Sequence, residues 1–353
     1  MYDFDKVTVC VDMAGCPNRC RHCWIGVTPN KGMDIEQFKA IAMAFREQVN
    51  YFEIYSWYRE PDFRRDYREL WEIEKQLSTI KTKHFELASF WRLVRDETYV
   101  KWLCEQDVKK CQLTLFGDED TTDFYVGRKG AYQEIIKAID ILLENGIALR
   151  LQVFVNQKNV LVLNSVVKIC NDLNLEERCK ALGQEFELFV HAGTCDGENA
   201  KLYDIRVESK DLSKIPDYLV KHTLDYMKKT SIEEVFGFSE KYLCSEFKEW
   251  DEYSYSKSNS PVFYVDSYLN VYPNTTSTYS WWKIGNLLTD DCDTILKRYV
   301  ENDYFAARMI EANKFEDILA VFGNKDSAKL FDVEDYYYYI LNLYLKEIYD
   351  SSQ

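Results

Sequence analysis

Cys16, Cys20 and Cys23 stand with three and then two residues between them in the run Cys16-Pro17-Asn18-Arg19-Cys20-Arg21-His22-Cys23. Three thiolates in one tight loop are the soft donor set of an iron-sulfur cluster. A four-iron cubane held by three of them keeps one iron open to a further ligand, as a catalytic cluster needs and an electron-storing one does not. Zinc is the rival metal and would need a fourth ligand. His22 is close in sequence, but it adjoins Cys23, where two neighbouring side chains do not easily face one ion, and there is no second Cys-x-x-Cys pair to help. Coincidence is the third reading: eleven cysteines in 353 residues produce some clusters, yet three within eight residues after a strand is an improbable one. Arg19 and Arg21 beside the thiols would lower thiol pKa values and balance cluster charge.

The elements that must position this loop follow from periodicity. Short apolar runs alternate with amphipathic helical stretches from Lys6 to about residue 184, the pattern of a parallel sheet with crossover helices. Strands are expected at 6–13, 51–56, 85–90, 111–116, 148–155 and 185–191. Asp34 with Gln37 predicts a capped helix whose face is Ile35, Phe38, Ile41, Phe45 and Val49. Further helices are expected over about 66–80, from near Asp96, over 130–145 with Gly146 as its stop, and over 160–173. Six such units define an α/β fold, a partial (β/α)6 barrel, with functional residues at the carboxyl ends of strands. The cysteine loop falls at such an end.

After Gly193 the pattern breaks. A connecting helical and loop region is expected over 193–260, and a smaller α+β extension over 261–353, built on a hairpin at 262–266 and 269–272 and ending in tyrosine-rich helix. The domain reading is therefore 1–192, 193–260 and 261–353.

Composition bounds the partners. With 59 acidic and 44 basic residues the net charge is −15, which opposes phosphate backbones, so nucleic acid is not an expected substrate. Arg19, Arg21 and His22 around the thiols, with Arg64 and Arg65 further on, make one candidate basic patch. The early charges Asp3, Asp5 and Lys6 exclude a signal peptide, and no apolar run reaches membrane-spanning length. Scattered cysteines in odd number fit a reducing, cytoplasmic setting. The acidic run Asp118, Glu119, Asp120 and Asp123 lacks the glycine and terminal glutamate of a calcium loop and reads as a solvated loop.

The cysteine spacing after a first strand resembles the hallmark of the radical SAM enzyme superfamily, and the resemblance covers roughly residues 6–192. It implies that Cys16, Cys20 and Cys23 ligate one 4Fe-4S cluster whose open iron takes the amino and carboxylate groups of S-adenosylmethionine. His22 occupies the position where the family usually carries an aromatic residue. Tyr58-Arg59-Glu60-Pro61 keeps the last two residues of the family's Gly-Gly-Glu-Pro, which makes Glu60 a contact for the methionyl ammonium. Gln112-Leu-Thr-Leu-Phe-Gly117 followed by Gly127-Arg128-Lys-Gly130 is similar to the stretch that supplies a strand hydroxyl and an arginine, so Thr114 and Arg128 would hold the carboxylate, an arrangement that suits the arginine fork. On the fifth strand Gln152, or Asn156, would reach the ribose.

The segment from Phe263 through Tyr272-Pro273-Asn274 to Gly285-Asn286-Leu287 looks like the hairpin of SPASM or twitch extensions. In those extensions a cysteine follows the tyrosine-proline pair, and here Asn274 stands instead. One cluster in total is expected, with the hairpin kept as a substrate-side wall. Missing an auxiliary electron acceptor, the chemistry tilts to redox-neutral outcomes or to quenching by a hydrogen donor, for which Cys111, Cys195 and Cys244 are candidates. The implied activity is reductive cleavage of S-adenosylmethionine to a 5′-deoxyadenosyl radical that takes a hydrogen atom from a peptide or an amino-acid-derived substrate, with an external one-electron donor of flavodoxin or ferredoxin type. A chain that opens at the first strand, with no winged-helix module before it, shifts weight toward a small-metabolite substrate or a separate recognition protein. The competing class is a non-catalytic zinc or iron-sulfur binding protein.

Overall fold

The computed structural model describes residues 2–13, 15–26, 32–56, 62–81, 88–253, 258–276 and 278–353, apart from the side chains of 251 and 252. Its strands in chain order are β1 (Val7–Val11), β2 (Phe52–Tyr55), β3 (Lys110–Leu115), β4 (Ala148–Phe154), β5 (Glu187–His191), β6 (Phe238–Ser239), β7 (Val262–Val265), β8 (Asn270–Tyr272), β9 (Gly285–Asn286) and β10 (Leu330–Phe331). Among the described residues they form three sheets. β3, β4 and β5 make a parallel sheet, β1 lies between parallel neighbours β2 and β7, and β8 and β9 continue that second sheet antiparallel. β6 and β10 pair alone. The molecule is thus a mixed α/β protein with parallel sheets.

Local chemistry explains the elements. Asp34 and Gln37 form the full capping box at the start of helix Ile35–Arg46, whose buried face is Phe38, Ile41, Ala42 and Phe45. Helix Ala131–Glu144 turns Ile135, Ile139, Leu142 and Leu143 inward, and Gly146, at φ +81°, ends the segment in a conformation that costs glycine little. Two departures from the periodicity are instructive. Of the strand expected at 85–90, residues 85–87 lie outside the described set. Its last residue, Phe90, opens the short helix Phe90–Leu93 because the Ser89 hydroxyl accepts the Arg92 N–H at 3.1 Å and caps a helix there. The second departure is the pairing of β7 with β1, which sets Val9 opposite Phe263 and Val11 opposite Val265. The C-terminal hairpin therefore extends the sheet of the first strand, a long-range choice that local pattern does not encode.

Strand alternation gives the sheet β3-β4-β5 two different faces. Cys111, Leu113, Leu115, Leu149, Leu151 and Val153 are buried in one core with the inward residues of helix Ala131–Glu144. The opposite face carries Lys110, Gln112, Thr114, Arg150, Gln152 and Glu187, all partly exposed. At the edge, the Val190 N–H donates to Thr223 Oγ1 at 3.0 Å, so helix Asp217–Met227 covers β5. The other parallel sheet also has a polar set: Lys6, Thr8 and Tyr55 donate to the Glu53 carboxylate at 3.1, 3.2 and 2.6 Å. Tyr336 and Tyr337 on helix Val333–Ser352 are buried packing residues.

Candidate functional site

The cysteine loop follows β1 and is fastened on two sides. On the first side it caps a helix. Helix Glu119–Val126 ends with carbonyls that lack intrahelical partners. The Arg19 N–H donates to Val126 O at 3.0 Å and the Arg21 N–H to Tyr125 O at 2.8 Å. Phe124 O accepts from Arg21 Nε at 3.0 Å, and the same guanidinium lies 4.3 Å from the exposed Phe124 ring. Gly127 then takes φ +72°, where a Cβ would meet Arg19 O at 2.4 Å. On the second side, residues after β5 press on the loop: the Glu198 N–H donates to Cys23 O at 2.8 Å.

Within the loop, Cys16 Sγ accepts the Asn18 N–H at 3.4 Å, and Cys23 Sγ lies 3.8 Å from Gly26 O. Arg19 folds back to donate to Cys16 O and Asn18 O, both at 2.8 Å. All three cysteines are half-buried, which suits thiolates that must reach a cofactor yet be shielded from bulk water. Among the described residues no group of three or more His, Cys, Asp or Glu side chains is placed to hold a single metal ion. Ligands of one zinc must converge on a point, whereas a cubane takes each thiolate on a different iron.

The His22 ring packs on two aromatic rings at the carboxyl ends of β3 and β4, with centroids 4.7 Å from Phe116 and 5.1 Å from Phe154. Burial, and then the neighbouring His191, push its pKa down to about 3, so the ring is neutral. Its Nδ1 is buried with no hydrogen-bond partner. His191 ends β5 and packs on the other edge of Phe154, 5.8 Å between centroids. Its Nδ1 accepts the Gly193 N–H at 3.1 Å, which leaves the proton of the neutral ring on Nε2. Burial and then Arg206 push His191 down to about 4.

The remaining residues singled out from the sequence fall in distinct places. Thr114 and Gln152 are cross-strand partners, and the Thr114 hydroxyl donates to Gln152 Oε1 at 2.9 Å, with Gln112 Nε2 reaching the same oxygen at 3.2 Å. Arg128 is brought to the cysteine loop: its Nε donates to Asn18 Oδ1 at 2.9 Å and its Nη2 to Glu134 Oε2 at 2.6 Å. Glu134 also pairs with Arg95, and these two arginines hold its carboxyl below the usual range against the opposing effect of burial. Among the described residues no hydrogen bond joins Thr114 to Arg128. Asn156 is committed to the fold, donating to Tyr125 Oη at 2.7 Å while its Oδ1 accepts from the backbone of Lys158 and Asn159. Glu60, with Tyr58, Arg59 and Pro61, lies outside the described residues. In the acidic run, Asp118 caps helix Glu119–Val126 and Asp123 accepts the N–H groups of Gly130 and Tyr132, so both serve the backbone. Sequence reasoning missed Asn18, Glu134, His191 and Gly197; for the last, the Asp196-Gly197 turn dipeptide was the available signal.

The structure joins an α/β fold with parallel sheets to a pinned loop that carries three half-buried thiols, a donor set that suits an iron-sulfur cofactor. Residues 11–156 match the family model of the radical SAM superfamily, a superfamily of enzymes that work with a 4Fe-4S cluster and S-adenosylmethionine. Comparison with curated proteins finds no match. Among solved structures, the chain is similar to native anSMEcpe with bound AdoMet, at TM-score 0.53 and 15% identity over 97% of this chain and 99% of that one. It is also similar to native anSMEcpe with bound AdoMet and Cp18Cys peptide, at TM-score 0.54 and 14% identity over 99% and 100% of the two chains. The complex with Kp18Cys peptide matches at TM-score 0.54 and 16% identity over 98% and 99%. At such identities the likeness is one of fold. No helix among the described residues is long and apolar enough to cross a membrane.

Proposed function

We propose that this enzyme holds a single 4Fe-4S cluster on Cys16, Cys20 and Cys23, cleaves S-adenosylmethionine reductively there, and abstracts a hydrogen atom from a peptide or amino-acid-derived substrate. The observation that carries the reading is the cysteine loop itself: three half-buried thiols on a backbone fastened to Tyr125 and Val126 on one side and to Glu198 on the other. When bound, the cluster and S-adenosylmethionine supply the electron transfer and sulfonium cleavage that generate the hydrogen-abstracting 5′-deoxyadenosyl radical. The chain's own residues bind and orient. Thr114 and Gln152 offer a hydroxyl and an amide on the partly exposed strand face for the cofactor's polar groups. His22 contributes a neutral ring beside the third thiol, and Glu60 remains the candidate for the methionyl ammonium. Arg128 holds the loop through Asn18, with the cofactor carboxylate as its alternative partner.

We read the two parallel sheets as parts of a partial (β/α)6 barrel over 1–192, the connecting region as 193–260 and the hairpin with its helices as an α+β extension over 261–353. The peptide-bound complexes of the similar fold support a peptide substrate. An external flavodoxin-type or ferredoxin-type donor and a cytoplasmic setting complete the reading. The test is anaerobic purification and reconstitution, then dithionite with S-adenosylmethionine. Roughly four irons per chain and formation of 5′-deoxyadenosine are expected, both lost when Cys16, Cys20 and Cys23 are replaced by alanine. A colourless zinc protein, or product from the triple variant, would overturn the assignment.

A further inference from the structure

We infer that Gly197 is a positioning residue for Cys23, and that the segment 195–198 is a strut joining the C-terminal helix to the third thiol. The contact is backbone on backbone. A Cβ at Gly197 would lie 2.5 Å from Trp24 O, 2.6 Å from Cys23 O and 2.6 Å from Gly26 N, and none of these atoms belongs to a side chain that could swing aside. The φ of +53° at this position also favours glycine. The same Cys23 carbonyl accepts two N–H groups, Glu198 at 2.8 Å and Gly26 at 3.2 Å. Because Cys23 Sγ itself lies 3.8 Å from Gly26 O, any shift of the 23–26 turn moves the sulfur.

The far side of the strut is anchored residue by residue. The Cys195 N–H donates to Asp335 Oδ1 at 2.6 Å, and Asp335 is held in a buried pair with Arg206 at 2.6 Å. Asp196 Oδ1 accepts Asn342 Nδ2 at 3.1 Å, and Asn342 Oδ1 in turn accepts both Trp281 Nε1 and Trp282 Nε1 at 3.1 and 2.7 Å. The Gly197 N–H donates to Tyr279 Oη at 2.8 Å. Three consecutive residues are thus tied to helix Val333–Ser352 and to residues 279–282, while the glycine at the tip bears on the cysteine loop. This inference rests on the reading of Cys23 as a cluster ligand.

The experiment compares Gly197→Ala with Gly183→Ala and Tyr279→Phe in the full chain after anaerobic reconstitution. Gly183 is the control for backbone conformation alone: it has φ +70° and nothing within 4 Å of its Cβ. Expected for Gly197→Ala are altered g values of the dithionite-reduced cluster, a shifted midpoint potential and at least a tenfold slower formation of 5′-deoxyadenosine, with Gly183→Ala keeping the wild-type spectrum and potential. Tyr279→Phe removes the acceptor of the Gly197 N–H without adding bulk, and should move the same spectrum in the same direction by less; it decides the matter if Gly197→Ala does not fold. Wild-type spectra and potentials in both Gly197→Ala and Tyr279→Phe, or an equal change in Gly183→Ala, would overturn the inference. Failure of the underlying reading is seen separately, as a wild-type protein that binds no iron.

Discussion

Gly127 lies against the carbonyl of Arg19 so closely that a Cβ would stand 2.4 Å from that oxygen and 3.0 Å from its carbon. One residue thus ends a helix and sets the height of the cysteine loop above it. Replacement by alanine costs about 1–2 kcal/mol for the left-handed conformation alone, and the collision adds displacement of the loop. Gly146 isolates the second term, because it has a similar φ of +81° with nothing within 4 Å of its Cβ. Gly127→Ala should lower both the melting temperature and the irons retained per chain, Gly146→Ala only the former. Iron assay alongside thermal denaturation makes the comparison, and equal iron in the two variants would show that the contact does not govern the loop.

Thr114 and Gln152 share one hydrogen bond on the partly exposed face of their sheet. Thr114→Val keeps the shape and strand preference but removes the donor, so the fold should survive while S-adenosylmethionine binding weakens about tenfold, the worth of one ordinary hydrogen bond. Thr114→Ser should retain most of the affinity. Titration of the reduced cluster with S-adenosylmethionine, followed by electron paramagnetic resonance, gives the dissociation constants. Unchanged affinity in Thr114→Val would remove the pair from the cofactor site.

Arg128 divides its guanidinium between Asn18 in the cysteine loop and Glu134 on the following helix. If it acts through the loop, Arg128→Ala should reduce iron retention severalfold, and Arg128→Lys should recover only part, since an ammonium cannot span both acceptors in the planar fork of an arginine. If it holds the cofactor carboxylate, iron should remain at wild-type level while affinity for S-adenosylmethionine falls. Iron content and cofactor titration on the same preparation separate the two.

Much of this site was legible in the chain because its signals are local. The spacing of Cys16, Cys20 and Cys23, the Asp34 and Gln37 capping box and the alternation that exposes Gln112, Thr114 and Gln152 on one strand face all operate within a few residues. What escaped depends on distance. Nothing near Val262 announces that it will pair with Thr8, and nothing near Gly197 announces that it will press on Cys23, since such contacts are chosen by the packing of whole elements. Ser89 is a third kind of case: a strand-like apolar pattern gave way at Phe90 to a single capping hydroxyl.

Glu74 supplies a pH signature that can be checked apart from any cofactor. It is fully buried on helix Tyr67–Leu77, where its Oε1 accepts the Ser56 N–H at 2.7 Å at the carboxyl end of β2. Burial pushes its pKa up from 4.5 to about 8 against the pull of the Ser56 hydrogen bonds, with Asp62 raising it further. A raised carboxyl pKa means that the folded state keeps a proton which the unfolded chain has released. This contribution is therefore present in full below pH 4.5 and is lost as pH rises toward 8. The loss is at most about 1.4 kcal/mol per pH unit across that window. Glu74→Gln keeps an oxygen acceptor for Ser56 and cannot ionise. Its stability should fall less steeply than wild type between pH 5.5 and 8 in buffered urea titrations, the two chains converging toward the acid end. Asp62, itself pushed up to about 6 mainly by burial, is common to both chains and does not create the difference. Parallel stability profiles for the two would mean that Glu74 is ionised in the folded protein and that its burial is compensated.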